Sequence, residues 1–161
     1  MMKKIFYQDY EILGHKYLIA ATEEGLAFVG SQDQDVSELS RFYPDAELVE
    51  TKLNKLYFDQ IKEYLSGQRK QFTLPLDISG TEFQKNVWQA LQEIPYGQTT
   101  TYTQLAQKIG HDKASRAVGT AVGKNPLLMV IPCHRVITKT GQLGGYRGGM
   151  SMKKSLLELE K

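Results

Sequence analysis

Leu127-Leu128-Met129-Val130-Ile131 is an apolar run that stops at Pro132, where Cys133-His134-Arg135-Val136 follows at once. Proline lacks an N–H for a sheet ladder and restricts the residue before it, so it ends an element. The run predicts a buried strand whose end presents the Cys133 thiol to polar neighbours. Cys133 is the only cysteine among 161 residues, and His134 is one of only three histidines. A thiol reacts as the thiolate, and at an ordinary pKa of about 8.5 only a few per cent is ionised at pH 7. A neighbouring imidazole and guanidinium are the side chains that would raise that fraction. Two readings stay open on these residues alone. Cys133 is either a small buried hydrophobe between Val130 and Val136 or a nucleophile.

A lone cysteine cannot form an internal disulfide or a Cys-rich zinc site, so the expected compartment is a reducing cytosol and no metal is expected. The length suits one ordinary domain or two small ones, and 41% hydrophobic with 24% charged content suits a globular chain with a core. No apolar run approaches the roughly 18 residues of a membrane span. The start, Met1-Met2-Lys3-Lys4-Ile5-Phe6-Tyr7, has a basic flank, but Gln8, Asp9 and Glu11 interrupt any signal-type region. The net charge of +2 is uneven: residues 1–79 carry 9 Lys and Arg against 13 Asp and Glu, and residues 80–161 carry 11 against 5. A basic second half points to a polyanionic partner.

The pattern predicts an α+β chain of two domains, 1–79 and 80–161. Tyr17–Ala21 and Leu26–Val29 read as strands around the loop Thr22-Glu23-Glu24-Gly25. Val36 to Phe42 reads as a short helix. Leu53, Leu56, Tyr57, Ile61, Tyr64 and Leu65 keep helical spacing, with Gly67 past the end. Phe72, Leu74 and Leu76 suggest an edge strand or extended linker, and His15 a surface turn. Asp77 to Gly80 marks the boundary. Thr81 and Gln84 then fit a capping box before the stripe Phe83, Val87, Trp88, Leu91 and Ile94. A helix holding Leu105, Ala106 and Ile109 follows. The turn Gly110-His111-Asp112 leads to a third helix, with Asp112 as its expected cap, through Ala114, Ala117, Val118 and Ala121. The last two have the lengths of a helix-turn-helix. Small residues along the third helix allow close approach to another surface, inside or outside the protein, and Arg116 is its one long side chain. Met152, Leu156, Leu157 and Leu159 close the chain as an amphipathic helix, with Glu158 and Glu160 as charges beside it.

With Tyr102, Arg116-Ala117-Val118-Gly119, Asn125-Pro126, Pro132-Cys133-His134-Arg135-Val136 and Gly144-Gly145-Tyr146-Arg147 in this order, the segment from Phe83 to Glu160 resembles the O6-alkylguanine-DNA alkyltransferases, also called methylated-DNA–protein-cysteine methyltransferases. The resemblance implies a ribonuclease H-like N-terminal α/β domain and a C-terminal winged helix-turn-helix domain. It implies a monomer that flips O6-methylguanine, and also O4-methylthymine, out of double-stranded DNA and moves the methyl irreversibly to its own cysteine, without a cofactor.

By the same resemblance Cys133 is the nucleophile, His134 takes the thiol proton through a water, and Glu160 polarises His134. A water fits the expected extended chain, on which successive residues point to opposite faces. Tyr102 gives a proton to the departing guanine, and Arg116 fills the place of the flipped base. Tyr102, Ala117 and Arg135 join Arg116 at the DNA. Asn125 braces the active-site turn, and Val130 and Tyr146 line the base pocket. Relatives with an N-terminal zinc site use cysteine ligands absent here, and Arg147 stands where some relatives have a small hydroxyl residue. Two other classes compete. A DNA-binding regulator would need only the helix-turn-helix and leaves Cys133-His134 without a purpose. A cysteine hydrolase built on Cys133, a histidine and Asn125 needs an imidazole within reach of the thiol.

Overall fold

The computed structural model describes residues 3–52 and 54–161; Leu53 of the predicted helical stripe and Met1-Met2 of the basic flank lie outside them. The chain divides into two units, residues 1–78 and 79–161. In the first, strand β1 (Lys4–Ile12) turns back through Leu13-Gly14 into β2 (His15–Ala21), pairing Phe6 with Ala21 through Ile12 with His15. Both turn residues have positive φ, 51° and 84°, as a two-residue hairpin loop requires. Strand β3 (Leu26–Val29) and helix α1 (Val36–Phe42) lie where the pattern predicts them. Strand β4 (Glu47–Glu50) was not predicted, because only Leu48 and Val49 stand between its glutamates. It adds parallel to β1 and completes the order β3-β2-β1-β4. Ile5, Leu18, Ala20, Phe28 and Leu39 form the core that packs the sheet against α1. His15 opens β2 rather than resting in the turn, and its Nδ1 lies 2.7 Å from the Asp33 carboxylate at the surface.

Helix α2 (Lys55–Leu65) buries Ile61 and Tyr64 and leaves Leu56 exposed. Its end is a Schellman motif, in which Gly67 N–H donates to the Tyr64 carbonyl and Gln68 N–H to that of Glu63. The stretch expected to be an edge strand or linker is extended. It touches the sheet at one isolated bridge, Leu26 to Leu76, flanked by Leu26 N–H to the Pro75 carbonyl and Asp77 N–H to the Leu26 carbonyl. The backbone at Pro75 comes so near that a Cβ on Gly25 would lie 2.6 Å from its carbonyl carbon.

In the second unit Thr81 and Gln84 form the capping box that opens α3 (Glu82–Gln92), and Trp88 Nε1 donates to the Ala121 carbonyl at 2.9 Å. After the short strand β5 (Thr100–Thr101), a second capping box, Thr101 with Gln104, opens α4 (Tyr102–Lys108). Gly110 turns the chain at φ +80° into α5 (Ser115–Gly123). Asp112 does not cap α5: the cap position is Ala114, three residues from the helix side of Gly110-His111, and no side chain closes it. The helix buries Val118, Ala121 and Val122, and it exposes Arg116, Ala117 and Thr120.

The apolar run 127–131 is buried but is not a strand. Ile131 N–H donates to the Leu127 carbonyl and Val130 N–H to that of Leu128, so the run coils on itself, with Met129 at φ +72°. Its backbone groups are met locally, which removes any need for a sheet partner. Cys133–Arg135 is a single 3-10 turn that enters β6 (Val136–Ile137), parallel to β5, and α6 (Met150–Leu159) closes the chain. Among the described residues no helix is long and apolar enough to cross a membrane. The crowding at Gly25 has a measurable consequence. Gly25→Ala should destabilise the protein by about 1–3 kcal/mol, the usual cost of forcing atoms into filled space. Urea denaturation measures this, and Gly67→Ala provides a comparison in which strain comes from φ alone.

Candidate active site

The Glu160 carboxylate, one residue beyond α6 and buried, gathers three groups. Arg135 donates from Nε to Oε1 at 2.8 Å and from Nη2 to Oε2 at 2.9 Å, and its Nη1 donates to the Ile94 carbonyl at 2.6 Å. His134 Nε2 lies 2.7 Å from Oε2. Gly97 N–H donates to Oε1 at 3.3 Å. A carboxylate in a two-pronged pair with arginine only accepts, so His134 carries its proton on Nε2 and presents Nδ1 as a lone pair. Burial holds the imidazole pKa below its ordinary 6.5 against the opposing pull of Glu160, with Arg135 and Lys153 adding to the depression. His134 is therefore a neutral base at pH 7. Arg135, expected at the DNA, is corrected here: its guanidinium is buried against Glu160 and the Ile94 carbonyl.

The Cys133 sulfur accepts from Asn125 Nδ2 at 3.2 Å. The same amide donates to the Ile131 carbonyl at 2.8 Å and accepts at Oδ1 from Leu127 N–H at 2.9 Å, so Asn125 shapes the coil and holds the thiol together. Burial pushes the thiol pKa up, while the Asn125 hydrogen bond and then the charges of Arg147 and Lys153 draw it down. The guanidinium expected to act on the thiol was that of Arg135. The cations that do so stand 14 and 20 residues downstream of Cys133, at Arg147 and Lys153, and only folding brings them near. In a 3-10 turn successive side chains diverge by about a third of a turn, so His134 leaves Cys133 for Glu160, by a different geometry from the extended chain expected.

Lys153 gave no sequence signal beyond a basic residue on an amphipathic helix, yet it is fully buried. Its Nζ donates to the carbonyls of Val136 at 2.7 Å, Gly145 at 3.2 Å and Leu143, using all three donors to hold the loop between β6 and α6. Burial draws its pKa down. The loop meets Tyr102, the first residue of α4: a Cβ on Gly144 would lie 3.2 Å from the phenol oxygen, and one on Gly119 of α5 3.6 Å from the ring. Tyr102 is half-buried, and burial together with the neighbouring Cys133 raises its pKa, so it keeps its proton at neutral pH. Tyr146 is half-buried with its ring against Gly148, and Val130 is buried beside Ile131. Arg116 and Ala117 are exposed on α5. Among the described residues no group of three or more His, Cys, Asp or Glu side chains is placed to hold a metal ion.

A thiol held by an amide, a neutral histidine backed by a carboxylate and a protonated tyrosine, all within a helix-turn-helix unit, define a cysteine group-transfer site on a nucleic-acid-binding scaffold. Residues 82–161 match the 6-O-methylguanine DNA methyltransferase DNA binding domain and residues 11–78 its ribonuclease-like domain, and the chain belongs to this family. It is 51% identical over 151 residues to an inducible methylated-DNA–protein-cysteine methyltransferase of Bacillus subtilis, covering 90% of this chain and 84% of that one. To a methylated-DNA–protein-cysteine methyltransferase of Methanosarcina acetivorans it is 41% identical over 160 residues, 97% of this chain and 98% of the relative. The crystal structure of Mycobacterium tuberculosis O6-methylguanine methyltransferase matches with a TM-score of 0.84 at 36% identity, over 98% of this chain and 93% of that one. A structure of the same organism's protein in complex with DNA matches with a TM-score of 0.83 at 36% identity, over 98% and 92% of the two chains.

Glu160→Gln leaves the Arg135 charge buried without its counter-ion and should cost about 3–5 kcal/mol. Glu158→Gln, at an exposed position paired with Lys161, should change stability by less than about 0.5 kcal/mol. Denaturant titration of both variants checks the contrast. The depressed His134 pKa also sets a pH dependence. The unfolded chain takes up the proton near 6.5, and the folded one only at lower pH. Stability should be full above that value and fall as the solution is acidified through it. Urea midpoints measured from neutral pH downward test the sign.

Proposed function

We propose that this protein repairs O6-methylguanine in double-stranded DNA by moving the methyl group irreversibly to Cys133, once per molecule. The Asn125-held thiol beside the neutral His134–Glu160 pair carries this reading, because it is a nucleophile kept uncharged until a substrate arrives. The thiol proton passes through a bridging water to His134 Nδ1, and Glu160 offsets the imidazolium charge. The sulfur lone pair forms the bond to the methyl carbon as the bond from that carbon to O6 breaks, and the electron pair stays with the base. Tyr102 supplies a proton, so guanine leaves neutral rather than as an anion. The proton held on His134 then returns through water to the Tyr102 oxygen. The net change is one methyl on sulfur and one proton on guanine.

Inside a duplex the methyl cannot be reached, so the base must leave the stack. Arg116, exposed on α5, fills the space it vacates, and the small Ala117 lets the helix come close to the backbone. Val130 and Tyr146 line the pocket that receives the base. O4-methylthymine offers the same carbon–oxygen bond and is the expected second substrate. The protein acts as a monomer, without cofactor or metal. A thiol that must stay reduced to react supports a reducing, cytoplasmic location.

Tyr102→Phe keeps the ring and removes the acid, so it should slow methyl transfer far more than DNA binding. Arg116→Ala should weaken repair of duplex DNA more than of single-stranded or mispaired DNA, where unstacking costs less. Binding and single-turnover rates on both substrates separate the two roles, and equal losses for both variants would refute them. A thioether has no ionisable proton and is a poor electrophile, and no second cysteine can take the methyl onward. With excess lesion DNA, repaired bases should therefore plateau at one per protein, with the methyl on Cys133 by mass spectrometry. Cys133→Ala should bind and transfer nothing, and sustained turnover would exclude the reading.

A further inference from the structure

Arg147 lies outside the proton path described above, yet it touches the residue that holds the thiol. Its Nε and Nη2 donate to the Asn125 carbonyl at 3.2 and 3.0 Å, and Asn125 Nδ2 donates to the Cys133 sulfur at 3.2 Å. Asn125 N–H meanwhile donates to the Val122 carbonyl, which places its own carbonyl at the C-terminal end of α5, where the helix dipole favours a cation. A two-pronged guanidinium on that carbonyl fixes the peptide that carries the amide. Lysine, a single point charge, would not fix it in the same way.

Resting on the methyl-transfer reading, we propose that Arg147 is a positioning residue for that reaction: it clamps Asn125 onto the sulfur and supplies the cationic surroundings in which the buried thiol becomes a thiolate. Other titratable groups surround the thiol. Tyr102 on α4 and Lys153 on α6 interact with it electrostatically, and His134, with Arg135 and Glu160 behind it, turns its side chain away toward Glu160. Arg135 is neutralised by Glu160, and Lys153 donates to the backbone carbonyls of Val136, Leu143 and Gly145, which leaves those two with fixed structural partners away from Asn125. Arg147 joins a positive charge to the Asn125 peptide. The charge effect agrees in direction, since Arg147 draws the Cys133 pKa down.

The test reads the thiol without DNA, so it does not depend on whether methyl is transferred. Iodoacetamide alkylation of Cys133, the only cysteine, is followed by mass spectrometry across pH for the full chain and for Arg147→Met and Arg147→Lys, with thermal melts alongside. Arg147→Met keeps much of the stem and loses the charge. Its alkylation at pH 7 should fall about tenfold as the thiolate fraction drops, and its pH midpoint should rise. Arg147→Lys keeps the charge and should stay within about threefold of the parent in alkylation. It should lose more than that in single-turnover methyl transfer, because the clamp is gone. Alkylation of a folded Arg147→Met at the parent rate would overturn the proposal, as would Arg147→Lys transferring methyl at the parent rate. If Arg147→Met does not fold, the split between alkylation and transfer in Arg147→Lys decides it. A parent protein that alkylates but transfers no methyl would instead reject the methyl-transfer reading and leave the thiol result standing.

Discussion

The buried carboxylate of Glu160 is the interaction on which the second unit depends. It joins the end of α6 to the 3-10 turn through Arg135 and His134, and to the turn after α3 through Gly97. Burying a charge is costly unless every lone pair finds a donor, and here a guanidinium, an imidazole and a backbone N–H provide them. The same bonds that repay the burial also fix which nitrogen of His134 carries a proton. One side chain therefore fixes both the packing of this unit and the tautomer of His134, and Arg135 is held within the fold.

The electrostatics favour a resting site without net charge on its reacting groups. Burial opposes both the thiolate of Cys133 and the imidazolium of His134, and the two effects keep the proton on sulfur and the histidine free to accept it. Against that background the Asn125 amide and the cations Arg147 and Lys153 lower the cost of forming the thiolate at the moment it is needed. In the proposed transfer Tyr102, with its pKa raised, still holds a proton when negative charge develops on the base. In the proposed transfer these different environments suit Tyr102 to the acid, His134 to the base and Cys133 to the nucleophile.

The coil from Asn125 to Ile131 is the second structural dependence. Five apolar residues in a row would ordinarily seek a place in a sheet, but the Asn125 side chain supplies hydrogen bonds to both ends of the run and makes a compact turn possible. Met129 takes a positive φ there, a conformation costing about 1–3 kcal/mol that surrounding packing must offset. The outcome is a rigid platform for the sulfur rather than a strand end. Lys153 does the same for the loop that carries Gly144 to Tyr102.

Much of this was legible along the chain. Proline, cysteine and histidine in succession marked the segment on which the second unit's polar cluster is built, while leaving open whether Cys133 packs or reacts. The Thr81–Gln84 box, Gly67 and Val36–Phe42 follow from local hydrogen bonding and steric freedom, which act over a few residues. Tertiary structure decided what depends on distant partners. The strand expected at 127–131 gave way to a coil because a side chain at 125 meets its backbone. Arg135 turned inward because Glu160 arrives from 25 residues away, and Asp112 lost its capping role because the helix begins at Ser115. Lys153 looks like an ordinary cation on an amphipathic helix in a linear reading. Its burial against backbone carbonyls, and the contact of Arg147 with the Asn125 carbonyl, follow only from packing. The sequence by itself determined which groups can react; the fold determined which of them are charged, because charge at a buried site depends on neighbours that the chain brings together in space.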